Sequence, residues 1–92
     1  MLAESSFEIT PQEVQALQAS GEPLSFIDVR DPEEWEKTRI EGATLIPMGV
    51  VPVSIQAIES RADEASLIVY CHHGVRSLQV VSWLRQQGIA CC

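Results

Sequence analysis

Leu67-Ile68-Val69-Tyr70-Cys71-His72-His73-Gly74-Val75-Arg76-Ser77, continued by Leu78 to Leu84, is the stretch that decides the architecture. Leu67 to Tyr70 is short, apolar and β-rich, the composition of a strand covered on both faces. Beyond a polar loop, Leu78, Val81 and Leu84 recur at three-residue spacing and Val80 widens the stripe, which predicts a helix with one apolar face. Gly88 stands where a left-handed residue would end that helix. Cys71 therefore falls between the carboxyl end of a strand and the amino end of a helix. In open α/β sheets, ligands bind at that junction.

The chemistry follows from the placement. A helix amino terminus offers unpaired N–H groups and the positive end of a dipole, and both favour an anion. Arg76 adds a permanent cation, with His72 and His73 as candidate partial ones. Gly74 lets the backbone curl without a side-chain clash. A free thiol, with a pKa near ~8.5, is mostly protonated at neutral pH, so a loop that lowers this value creates a nucleophile. The competing reading makes Cys71 a small buried hydrophobe. The strand-loop-helix context, with Gly74 and Arg76 behind the cysteine, favours the nucleophile.

Working outward, Leu24 to Val29 is a second apolar strand followed by a helix start. Asp31-Pro32-Glu33-Glu34 reads as its cap, with Asp31 as the capping residue, Pro32 first and Glu34 third. Asp28 and Arg30 are not needed for that cap. Arg30 either pairs with Asp28 or Asp31 or sits near the anion site, and the structural role is favoured. Trp35 is assigned to the core in preference to stacking on a substrate. Phe7 to Ile9 is a candidate strand, and Thr10-Pro11-Gln12-Glu13 opens a helix with a capping box, ended by Gly21. Ala43 to Ile46 reads as a strand stopped by Pro47, and Pro52 to Ile58 as a short helix. Val50-Val51-Pro52-Val53 is an apolar connection, assigned to packing against the sheet rather than to a substrate-facing rim. Alternation of strands and helices predicts a parallel or mostly parallel sheet with helices on both faces.

Cys71-His72-His73-Gly74-Val75-Arg76-Ser77 resembles the active-site loop of single-domain rhodaneses, the persulfide-forming sulfurtransferases. Asp28-Val29-Arg30-Asp31-Pro32-Glu33-Glu34-Trp35, then Ile40-Glu41-Gly42-Ala43-Thr44-Leu45-Ile46-Pro47, resembles that family's amino-terminal signature. Thr38-Arg39 departs from it, standing where the family has Gly-His. The resemblance implies a doubly wound rhodanese-like sheet of about five strands. It also implies a Cys71 thiolate that takes the outer sulfur of a small anionic donor such as thiosulfate. Cyanide, a thiol or a protein acceptor then removes that sulfur. In this reading His72, His73, Gly74, Val75, Arg76 and Ser77 form the anion-binding loop, with Arg76 orienting the donor, while Asp28 and Arg30 border the site. Neither cofactor nor metal is expected: adjacent His72-His73 and Cys91-Cys92 lack the spacers of structural zinc sites.

Ninety-two residues with 46% hydrophobic content describe one small globular domain, 1–92, without repeats or linkers. A net charge of −7, with only six Lys and Arg, argues against nucleic acid or an anionic membrane as partner. No apolar run approaches the ~20 residues of a membrane span, and the amino terminus lacks a signal-peptide pattern. Three cysteines do not make a disulfide framework, so a reducing cytoplasm is the expected location. At the carboxyl end, Ile89-Ala90-Cys91-Cys92 begins what would be another strand. The resemblance implies a last strand and a helix beyond it, so the chain is expected to be truncated. Two rival functions stand beside sulfur transfer. One is a rhodanese-like docking or regulatory module, disfavoured because Cys71 is retained. The other is a Cys-based phosphatase or arsenate reductase, whose loop is one residue longer than the six from Cys71 to Arg76.

Overall fold

The computed structural model describes residues 8–92. In chain order these form α1 (Pro11–Ala19), β1 (Leu24–Asp28), α2 (Pro32–Lys37), β2 (Thr44–Leu45), α3 (Ile55–Glu64), β3 (Ser66–Tyr70) and α4 (Val75–Gln86). Two single 3-10 turns, Met48–Val50 and Pro52–Ser54, lead into α3. The helix expected over 52–58 thus begins as 3-10 and runs on to Glu64. Pro52, which has no N–H to give, stands at the start of the second turn.

Capping chemistry sets the helix starts. The Thr10 hydroxyl accepts the Glu13 N–H at 3.1 Å and the Glu13 carboxylate accepts the Thr10 N–H at 2.9 Å, the reciprocal box read from the sequence. Glu34 does the same for the Asp31 N–H at 2.9 Å.

The sheet is parallel, in the order β2-β1-β3. β1 and β3 pair from Leu24↔Ser66 to Asp28↔Tyr70, so their carboxyl ends finish level. Alternation then sorts the faces. Ile27, Val29, Leu67 and Val69 join Ile58 of α3 and Val80, Val81 and Leu84 of α4 in one core. Phe26, Ile68 and Tyr70 lie on the opposite face, where they share a cleft of about 380 Å³ with Val14, Gln15 and Gln18 of α1. Burial of Leu67, Ile68 and Val69 together agrees with a strand covered on both faces.

Three strands stand among the described residues where about five were expected. Phe7 lies outside the described residues, and Glu8 and Ile9 carry no strand. At the other end, the Cys92 N–H donates to the Leu67 carbonyl at 3.2 Å and the Val69 N–H donates to the Cys92 carbonyl at 2.8 Å. Cys92 so occupies a ladder position on the edge of β3 that β1 leaves open. Cys91 and Cys92 are both buried. Burial pushes the Cys91 thiol up to about 11 and raises that of Cys92 as well.

Asp28 and Arg30 are the buried charged residues among the described residues, 0% and 6% exposed. The Asp28 carboxylate accepts the Arg30 N–H at 2.9 Å and the guanidinium through Nε (2.9 and 3.0 Å) and Nη2 (2.7 Å). Arg30 Nη2 also donates to the Thr38 carbonyl at 2.6 Å. Burial alone would push the Asp28 carboxyl up. The Arg30 side chain and N–H, with the Tyr70 hydroxyl, outweigh it and hold the group below the ordinary aspartate value. Val51, by contrast, is buried while Val53 is 86% exposed, so the apolar connection is only partly packed.

Asp28→Asn leaves the Arg30 charge buried without its partner, and the expected loss is about 3–5 kcal/mol in urea unfolding. Because the folded carboxyl is depressed, its contribution is present above the ordinary aspartate value and disappears as pH falls through the folded one. The wild type should therefore lose stability in acid more steeply than the Asn variant.

Candidate active site

Tyr70 ends β3 and Cys71 leaves it into a turn closed by Gly74, which sits at φ +88 as the residue capping α4. Only glycine holds that conformation without strain. The helix starts at once, so Val75, Arg76 and Ser77 belong to its first turn rather than to the loop in which the sequence reading placed them. Their N–H groups have no partner within the helix. The Cys71 sulfur takes that place: Gly74 N–H reaches Sγ at 3.1 Å and Ser77 N–H at 3.3 Å, and the Arg76 N–H also points to it. Ser77 Oγ lies 3.4 Å from Sγ and donates to the Gly74 carbonyl at 3.2 Å. A rotation of the hydroxyl turns it into a further donor to a thiolate.

Half-burial pushes the Cys71 thiol up. The Ser77 hydroxyl, then the N–H groups of Ser77, Gly74 and Arg76, outweigh burial and bring it below the ordinary thiol value. Such a sulfur carries anionic character at lower pH than a free cysteine. It opens on a cleft of about 370 Å³ lined by Cys71, His72, Gly74 and Ser77 on one side and by Ile9, Pro11 and Cys92 on another.

The remaining predicted residues fall into distinct places. Arg76 turns to α2, where Nη1 and Nη2 donate to Glu34 Oε2 at 2.8 Å and Oε1 at 3.0 Å. The guanidinium is therefore a paired cation, and its partner Glu34 is held down at about 2. Asp28 and Arg30 brace the strand end that carries Cys71. The Arg30 guanidinium lies 5.8 Å from the Tyr70 ring centre, and the Tyr70 hydroxyl accepts the Ile40 N–H at 3.3 Å. His72 and His73 are exposed and stack edge to face at 4.2 Å. Val75 is 65% exposed. Trp35, assigned to the core from sequence, is half-buried with the Arg39 guanidinium 4.8 Å over its ring.

Glu34 is the site residue that sequence reasoning missed, since its capping role was complete in itself. A usable signal was present. Two parallel neighbouring strands put the turns that follow them side by side, so the acid at the third position of α2 and the arginine in the first turn of α4 were candidates to meet.

A family model described as rhodanese-like domain matches residues 10–91. The probable adenylyltransferase/sulfurtransferase MoeZ of Mycobacterium tuberculosis is 35% identical over 82 residues, which cover 89% of this chain and 21% of MoeZ. A sulfurtransferase of Allochromatium vinosum is 31% identical, with 88% of this chain and 73% of that protein covered. Among solved structures, a rhodanese-like domain protein from Staphylococcus aureus aligns with a TM-score of 0.79 at 31% identity, covering 90% of this chain and 78% of that one. The chain thus spans about a fifth of the length of MoeZ.

The rate of Cys71 alkylation by iodoacetamide, followed against pH, should show its midpoint below that of a free thiol. Ser77→Ala removes the largest of the lowering contacts, and the midpoint is expected to move upward.

Proposed function

The chain belongs to the rhodanese-like domain family, and from that premise we propose that it transfers sulfane sulfur through a persulfide on Cys71. The Cys71 thiolate attacks the outer sulfur of a donor such as thiosulfate. A bond forms between Sγ and that sulfur, and sulfite departs with the electron pair of the bond that breaks. The product is Cys71–S–S⁻. A cyanide ion or a thiolate, free or on a protein, then attacks the terminal sulfur and leaves the Cys71 thiolate behind. Both halves are covalent catalysis of the ping-pong kind.

The observation that carries this reading is the pair of N–H groups, of Gly74 and Ser77, aimed at one sulfur, with the Ser77 hydroxyl 3.4 Å away and able to turn toward it. Donors aimed at a negative sulfur favour the thiolate, and the same positive end of α4 faces the persulfide anion formed on it. Sulfurtransferase relatives support the same reaction class. A cysteine phosphatase needs a roomier loop to seat a tetrahedral phosphoryl group on its sulfur. Six residues from Cys71 to Arg76 fit a single transferred sulfur better.

Intact mass of the reduced chain should rise by one sulfur atom on addition of thiosulfate and return on addition of cyanide. Cys71→Ser should show no gain. A folded wild type that takes up no sulfur would instead favour the docking-module reading.

A further inference from the structure

Cys71 opens on a cleft of about 370 Å³ whose wall holds few charges. Among the described residues that line it, His72 is the side chain that can carry a positive charge, and Glu8, next to Ile9, is the carboxylate. Arg30 and Arg76 do not belong to that wall: Arg30 is buried against Asp28, and Arg76 meets Glu34 on α2. The donor-orienting role that resemblance gave to Arg76 therefore has no guanidinium in the cleft to perform it. His73 does not line the cleft either. Its ring stands edge to face against that of His72, with centres 4.2 Å apart, and restricts the orientations open to it. An imidazole is the side chain whose charge ordinarily changes between about pH 5 and 8. A protonated imidazole at this place offsets the charge of the Cys71 thiolate, which by itself repels an anionic donor.

We propose that His72 is the donor-binding residue of the site: its protonated imidazole holds the charged end of an anionic sulfane-sulfur donor, so that donor capture strengthens as pH falls. With thiosulfate, the imidazolium donates an N–H to a sulfonate oxygen while the outer sulfur meets Cys71 Sγ. It keeps its proton through the transfer, and sulfite leaves with the electron pair of the broken bond. The groups that face His72 are Glu8 in the cleft wall, Tyr70 and Cys71 at the end of β3, and His73 in the turn. Of these residue types, carboxyl and phenol groups ordinarily keep their charge across the histidine range. The identity of the donor rests on the persulfide reading of Cys71, while the charge argument stands on the make-up of the cleft.

His72→Gln and His73→Gln are the discriminating pair. Both residues are exposed, so neither change removes a buried contact, and both remove the same charge from the chain. Cys71 is probed without sulfur chemistry by anionic iodoacetate and neutral iodoacetamide, the adducts being assigned by peptide mass. Cys91 and Cys92 are buried. The thiolate fraction cancels in the ratio of the two rates, which then reads the charge beside the sulfur. Going from about pH 8 to about pH 5.5 at low salt, the iodoacetate to iodoacetamide ratio should rise about threefold in the unsubstituted chain. His72→Gln should abolish the rise and His73→Gln should keep it. The rate of sulfur loading from thiosulfate, divided by the iodoacetamide rate at the same pH, should rise about tenfold, because the dianion feels the same charge twice. Added salt should shrink both rises. A wild-type ratio that stays level or falls in acid overturns the proposal, as does a rise that survives in His72→Gln or is lost in His73→Gln. If thiosulfate loads none of the three proteins while the alkylation ratios behave as expected, the persulfide reading fails and the anion site at His72 stands.

Discussion

Everything at the candidate site depends on two parallel strands that end at the same level. Registering Asp28 with Tyr70 brings the turn after β1 against the turn after β3. From that single constraint the Tyr70 hydroxyl meets Asp28, Arg30 meets the Tyr70 ring, and Arg76 meets Glu34 across 42 positions of sequence. Slipping the pair by one residue would turn every side chain to the other face of the sheet. The large apolar residues Ile27, Leu67 and Val69 forbid it, because their burial against α3 and α4 supplies much of the stability of a domain this small. Packing thus fixes the register, and the register fixes the chemistry.

Much of this was legible beforehand, for identifiable reasons. Apolar runs bounded by turn residues located β1 and β3, and Ser/Thr/Asp-Pro-x-Glu patterns located the starts of α1 and α2. The place of Cys71 between a strand end and a helix start was legible because apolar runs on both sides bracket the polar loop that carries it. What escaped was long-range or double-duty. Glu34 serves a cap and an ion pair with the same oxygens, so the local role hid the distant one. Trp35 looked like core because aromatic residues usually are, yet Arg39 covers its ring from outside. The first turn of α4 was taken for loop because Val75, Arg76 and Ser77 show no periodicity; the helix begins there because Gly74 reverses the backbone. The count of about five strands needed the two ends of the chain as well: Phe7 lies outside the described residues, and Cys92 bonds to the edge of β3 without a strand of its own.

A chain with a charge of −7 is an unpromising host for the thiolate proposed at Cys71. Two features reconcile them. Exposed carboxylates at a distance are screened by salt and water. Backbone N–H groups a little over 3 Å from the sulfur are not, and they cost no counter-charge. The groups within hydrogen-bond reach of the Cys71 sulfur are thus backbone dipoles, while the nearby guanidiniums are paired with carboxylates. That division leaves its nearby arginines free for architecture: Arg30 ties the end of β1 to the segment at Thr38, and Arg76 ties α4 to α2.

Reactivity and folding are accordingly the same free energy viewed from two sides. The donors that lower the Cys71 pKa exist only when α4 is wound and Gly74 is reversed, and an unfolded chain offers none of them. By linkage, whatever the fold contributes to ionising the thiol, ionisation returns to the fold. Since the folded value is the depressed one, this contribution is absent in acid, grows as pH rises past the folded value and is complete above the value in the unfolded chain. The sulfur anion behaves in this sense as a built-in ligand of its own helix, and oxidising or capping it would loosen the element that made it reactive.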